Sequence, residues 1–133
     1  MMRVANVLVS EQGEILLGIS GGEIAWDIPG GWVGNAPLEK EAKRLHLEST
    51  GMSLEEEPRL IGYSEKKDDD GLNVVTLYLL WKEWGGFPHP SSQDFLQFRW
   101  FPLTDPPSLK SQTAACKKFF TQILPESLGL LVA

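Results

Sequence analysis

The sequence predicts an α/β protein of one domain, an α/β/α sandwich in which a central sheet lies between two helices. Apolar residues switch between strand-like and helical spacing along the chain, with no repeat and no low-complexity linker. One run, Val74 to Trp81, is apolar on both faces and belongs in the middle of a sheet that is covered on each side. A length of 133 residues with 42% hydrophobic content supports one core rather than two. The domain is read as 1–133, with an apolar tail over 125–133.

In chain order, Arg3 to Val9 reads as a strand, Glu11–Gly13 as a turn and Glu14–Ile19 as its hairpin partner. Ser20–Gly22 and Pro29–Gly31 frame a glycine-rich excursion that carries Trp26 and Trp32. From Pro37 to Thr50, Leu38, Ala42 and Leu45 fall on one helical stripe. Pro37 suits a first turn and Gly51 is a natural stop. Arg59–Glu65 and Leu72–Trp81 read as strands flanking the polar tip Lys66–Gly71. A loop over Glu83–Gln97 leads to a short strand at Phe98–Phe101. Pro102–Pro107 breaks the chain, and a second helix is expected over Ser111–Leu124, with Ala114, Ala115, Phe119 and Ile123 available for packing. The tail Leu128–Ala133 is expected to pack on its own domain or on a second copy, so a homodimer stays open.

Twelve Lys and Arg against eighteen Asp and Glu give a net charge of −6, which repels nucleic-acid polymers and anionic membranes. The single cysteine, Cys116, excludes an internal disulfide and suits a reducing compartment. Met1–Val9 is too short for a signal peptide, and no window approaches the roughly 18–20 apolar residues of a membrane helix. The expectation is a cytoplasmic protein.

The lead-in Trp26-Asp-Ile-Pro-Gly-Gly-Trp-Val33, the helix ending Arg44-Leu-His-Leu-Glu-Ser-Thr-Gly-Met52, the strand and loop Thr76–Pro88 and the closing Arg99–Leu103 together resemble the Nudix hydrolase family, in particular its MutT-like members. The family box reads Gly, five residues, Glu, seven residues, then Arg-Glu-U-x-Glu-Glu-x-Gly-U, with U aliphatic. The resemblance implies a central mixed sheet, Mg2+ as cofactor and a nucleotide-like small molecule as partner. It further implies hydrolysis of a nucleoside diphosphate linked to another group, with water as nucleophile.

Two alignments of the box compete. Anchoring on Arg44, Glu48 and Gly51 retains one acid of the Arg-Glu-U-x-Glu-Glu segment. It places Leu45 at the lone Glu, His46 at the aliphatic site and Ser49 at the second Glu of the pair. It also leaves one residue too few between Gly31 and Arg44. Anchoring on Gly30-Gly31 puts Pro37 at the first Glu, Leu45 at the Arg, His46 at the lone Glu, and Ser49 and Thr50 at the Glu pair, so that no acid survives. By resemblance, in the first alignment Glu48 and Arg44 are the catalytic candidates, Glu48 and Asp94 the metal-ligand candidates, and Gly30, Gly31 and Trp32 the substrate-binding candidates.

Magnesium is a hard ion that takes oxygen ligands, commonly one or two carboxylates together with substrate phosphates. A leucine at an acid position removes an oxygen ligand and sets apolar surface beside a dication, and losing a general base alone costs about 10² to 10⁴ in rate. The expectation is therefore weakened hydrolysis; the alternative is an inactive nucleotide- or protein-binding module on the same scaffold. Glu41, Arg44 and Glu48 have the spacing of ordinary helix-surface ion pairs as well as that of a displaced acid pair. Glu55–Glu57 and Asp68–Asp70 read as solvated charge runs. Gly21-Gly22 and Gly30-Gly31 lack the neighbours of a P-loop. Trp81 and Trp100 are expected in the core. Trp26, Trp32, Trp84, Phe87 and Phe95 either stack on a base or anchor loops. By resemblance, Lys110–Gln112 is a further place of base contact.

Overall fold

The computed structural model describes residues 1–19, 26–91 and 95–105. Its elements run β1 (Met2–Leu8), β2 (Glu14–Ile19), β3 (Trp26–Asp27), β4 (Gly30–Trp32), α1 (Leu38–Thr50), β5 (Ser53–Glu55), β6 (Arg59–Lys67), β7 (Asn73–Trp81), β8 (Glu83–Gly85) and β9 (Gln97–Pro102). The helix expected over 111–124, the tail, Gly21, Gly22, Asp94 and Lys110–Gln112 lie outside the described residues.

The apolar run Val74–Trp81 is central, as its two-sided hydrophobicity requires. The main sheet has the order β4-β1-β7-β6. β1 and β7 pair in parallel from Met2↔Val75 to Leu8↔Trp81, and β4 and β6 add antiparallel, so the sheet is mixed. Gly30 lets β4 close on β1, because a Cβ there would strike the Val4 carbonyl. A hairpin turn carries the chain from β1 into β2. It is closed by Ser10 N–H to Glu14 O at 2.8 Å and by Gly13, at φ 77°, donating to Ser10 O at 3.0 Å. β2 then centres a second antiparallel sheet, β3-β2-β9.

Alternation along β1 and β7 sends side chains to two cores. Val4, Leu8, Leu79 and Trp81 pack with Leu16, Ala42 of α1, Met52 and Leu54. Ala5, Val7, Tyr78 and Leu80 pack with Ile15, Leu17 and Ile28 on the other side. Leu8, Leu16 and Leu17 are fully buried, each worth about 1.5–3 kcal/mol of transfer free energy. Asn6 is the polar exception in β1 and lies wholly inside. Its amide donates to Ala42 O at 3.1 Å and accepts the Trp81 indole N–H at 2.9 Å, so it stitches α1 to β7 and leaves neither side-chain atom unpaired.

Two features were not readable from spacing. Residues 53–55 and 83–85, each charged and only three long, form a two-stranded ribbon. The loop expected over 83–97 therefore begins as strand β8. Trp84 in that strand stacks on Trp100 with ring centroids 5.7 Å apart, Trp26 meets Phe101 edge-on at 4.8 Å, and Phe95 is buried against Phe98. These three aromatics are anchors. Trp32 and Phe87, at 46% and 86% exposure, are the ones left open to a ligand.

Candidate functional site

The helix α1 carries the box candidates, and its two ends are built differently. Pro37 precedes it at φ −54°, ψ 142° and offers no side-chain cap, while Glu39 and Glu41 in the first turn complement the positive end of the helix. At the other end Gly51 adopts the left-handed conformation at φ 76° and donates to Leu47 O at 2.9 Å. The following three carbonyls are taken by the segment after β8. Ser91 Oγ donates to Glu48 O at 2.7 Å, Ser91 N–H to Ser49 O at 3.2 Å and His89 N–H to Thr50 O at 2.9 Å. Every carbonyl that a helix C-terminus orphans thus has a donor.

Gly51 also bears on the box alignment. Anchoring on Arg44, Glu48 and Gly51 sets the box's glycine on the residue that needs positive φ, whereas counting from Gly31 would set it on Met52, which is fully buried in the α1 core.

Arg44 lies between two carboxylates. Its Nε donates to Glu41 Oε2 at 2.7 Å, with Nη2 on the same oxygen, and its Nη1 reaches both oxygens of Glu48 at 3.0 and 3.1 Å. These bonds, to Glu41 first and Glu48 second, hold the guanidinium above its ordinary pKa. Glu41 is nearly buried, whereas the Glu48 side chain is 58% exposed. The ion pairs expected from the spacing are formed, and they occupy the acids that a displaced metal site would use.

Leu45 and Ser49 flank Glu48 on α1. Leu45 is half-buried against the α1 core, and a Cβ on Gly31 would sit 3.3 Å from its Cδ2. Ser49 turns its hydroxyl back to Leu45 O at 2.6 Å. His46, which the two alignments place at the aliphatic site or at the lone Glu, is completely buried, and both ring nitrogens lack a hydrogen-bond partner among the described residues. Burial lowers its pKa to about 4. It occupies a core position.

The donor set can now be tested against the magnesium that the resemblance implies. Among the described residues no three His, Cys, Asp or Glu side chains converge as a metal would require. The one exposed box carboxylate, Glu48, has both oxygens on Arg44. A hard dication finds no ready carboxylate cage in this arrangement, so the described residues do not fit the group. Asp94 lies outside the described residues. Gly30, Gly31 and Trp32 do lie together, on β4 beside β1.

No family model matches the sequence, and no curated protein matches it. Solved structures do. A MutT Nudix hydrolase from Burkholderia pseudomallei superposes with a TM-score of 0.78 at 25% identity, over 92% of this chain and 96% of that one. An ADP-ribose pyrophosphatase from Streptococcus suis gives 0.70 at 21% identity, over 95% and 90%. The Nudix domain of NrtR from Shewanella oneidensis, solved with ADP ribose, gives 0.73 at 18% identity, over 98% and 88%. The mixed sheet with its helix is the Nudix hydrolase fold. On that structural ground the chain shares its fold with the Nudix hydrolases, the family its sequence resembles.

Proposed function

We propose that this protein binds small molecules built on a nucleoside diphosphate and hydrolyses them far more slowly than a Nudix protein with a full set of box acids. One observation carries the reading. On the turn where several carboxylates should converge, α1 presents Leu45, Ser49 and a Glu48 whose two oxygens are held by Arg44. Arg44 and Glu48 are the residues assigned to any remaining chemistry, Arg44 by fixing the rotamer of Glu48 and Glu48 by accepting a proton from water. Gly30, Gly31 and Trp32 are assigned to ligand contact. The ligands named for the structural neighbours, ADP ribose among them, set the panel to try.

The test is release of pyrophosphate from nucleoside triphosphates, and of nucleoside monophosphate with sugar phosphate from ADP-ribose and UDP-sugars, in magnesium, run beside Glu48→Gln. Slow turnover that the substitution lowers by about 10² or more supports residual hydrolysis through Glu48. Equal rates in the two proteins, with ligand still bound, identify a binding module that has lost turnover. Leu45→Glu with Ser49→Glu should raise magnesium affinity in calorimetry. No gain would mean that this turn does not face the phosphates.

A further inference from the structure

We infer that Arg3, Trp32 and Thr76 form a phosphate-binding site that works without a divalent cation, on the sheet face opposite α1. The inference rests on the proposed nucleotide reading for the ligand's identity. Its geometry is independent of that reading.

The register of the main sheet puts these side chains in one row. Arg3 on β1 is directly opposite Trp32 on β4 and Thr76 on β7. Val4, the next residue, points into the core beneath α1, so Arg3 and its row project from the other face. The Arg3 guanidinium lies 4.8 Å from the centre of the Trp32 ring. A guanidinium held over an indole keeps N–H groups along its edge that can donate paired hydrogen bonds to an oxyanion.

Nothing described uses that edge. Arg3 makes no ion pair with any described residue, and the Thr76 hydroxyl makes no hydrogen bond with one. Among the described residues, every other Lys or Arg without a carboxylate partner is exposed; Arg3 is half-buried. In a chain with net charge −6, a half-buried guanidinium that is backed by an indole and left without an acid is the feature an anionic ligand would explain. The chemistry also complements α1. There the guanidinium of Arg44 is spent on Glu41 and Glu48, so a phosphate approaching that turn of the helix meets neither a free guanidinium nor a carboxylate cage.

The experiment is calorimetric titration of the full chain with inorganic pyrophosphate and, separately, with ADP-ribose, both in excess EDTA. Variants are Arg3→Gln, Arg3→Lys and Trp32→Leu. Pyrophosphate should bind the unmodified chain, and Arg3→Gln should weaken it roughly 10- to 100-fold, the range expected for losing hydrogen bonds to a charged group. Arg3→Lys should recover part of the loss, because it keeps the charge and loses the fork. If Arg3→Gln lowers the thermal midpoint, Trp32→Leu carries the comparison by removing the backing while keeping the charge, and weaker binding is again expected. Equal affinity of the unmodified chain and the folded variants overturns the site, as does binding that appears only with magnesium. Succinate binding as tightly as pyrophosphate overturns the phosphate assignment, and ADP-ribose binding without pyrophosphate binding overturns Arg3 as the anchor. Because no cation is present, failure here leaves the hydrolysis assay untouched, and absence of hydrolysis leaves this site standing.

Discussion

The two ends of α1 solve the same problem with unequal thoroughness. At the start, Pro37 supplies a fixed φ and no acceptor, so the first-turn N–H groups receive no side-chain cap from it. At the finish, a left-handed glycine, a serine hydroxyl and two backbone amides from the segment after β8 satisfy four carbonyls in succession. The helix is over-determined where the box candidates stand and loosely begun where they do not. Just inside the well-held end lies His46, a buried imidazole with no hydrogen-bond partner among the described residues. The lesson is that backbone satisfaction and side-chain satisfaction are separate constraints, and this helix meets the first at the point where it fails the second.

The largest expected effect comes from His46. Its folded pKa of about 4 lies below the unfolded value of 6.5, so the unfolded chain takes up a proton first as the pH falls. Stability attributable to this group is complete above pH 6.5 and is lost between pH 6.5 and 4, by about 3 kcal/mol in all. Urea unfolding of the protein and of His46→Leu across that window measures it. The substitution should flatten the acid-side slope, and an unchanged slope would mean that the imidazole finds a partner after all.

Next is Gly51→Ala, which forces a side chain into positive φ and against the His89 ring, at an expected cost of about 2 kcal/mol. Gly51→Asn should cost less, since asparagine tolerates that conformation. Equal losses in denaturant midpoint would show that the ring contact, rather than φ, dominates. Ser91→Ala removes the hydroxyl from Glu48 O and should cost about 1 kcal/mol, with faster amide exchange in the last turn of α1 as the local readout. The smallest change is a gain. Pro37→Asp supplies the missing acceptor and a favourable charge at the helix start, offset by the lost rigidity of proline, for a net stabilisation of about 0.5 kcal/mol in thermal unfolding.

Much of the architecture was legible because it obeys local rules. The two-sided apolar run became the central strand β7, the Pro37–Gly51 frame became α1 within a residue at each end, and the ion-pair spacing of Glu41, Arg44 and Glu48 became an actual triad. The ribbon of β5 and β8 was not legible, since a run of three residues carries no period and is strand only because a distant segment pairs with it. Nor could composition sort the aromatics. Trp26, Trp84 and Phe95 are anchored while Trp32 and Phe87 stay open, and which is which depends on neighbours far along the chain. The candidate site divides the same way. That Leu45 and Ser49 flank Glu48 on α1 can be read in the sequence. That Arg44 holds both oxygens of Glu48, and that Arg3 lies across from Trp32 without an ion pair among the described residues, follows only from side-chain geometry and strand register.

Residue order alone carried the alternation of strands and helix, the position of the helix stop and the presence of Leu45, Glu48 and Ser49 together near its end, because periodicity, glycine chemistry and residue identity are local properties. Packing between distant segments set which charges neutralise each other, which indoles remain open and which segment closes the end of α1. Those outcomes depend on contacts between residues tens of positions apart, whose distances no local pattern encodes.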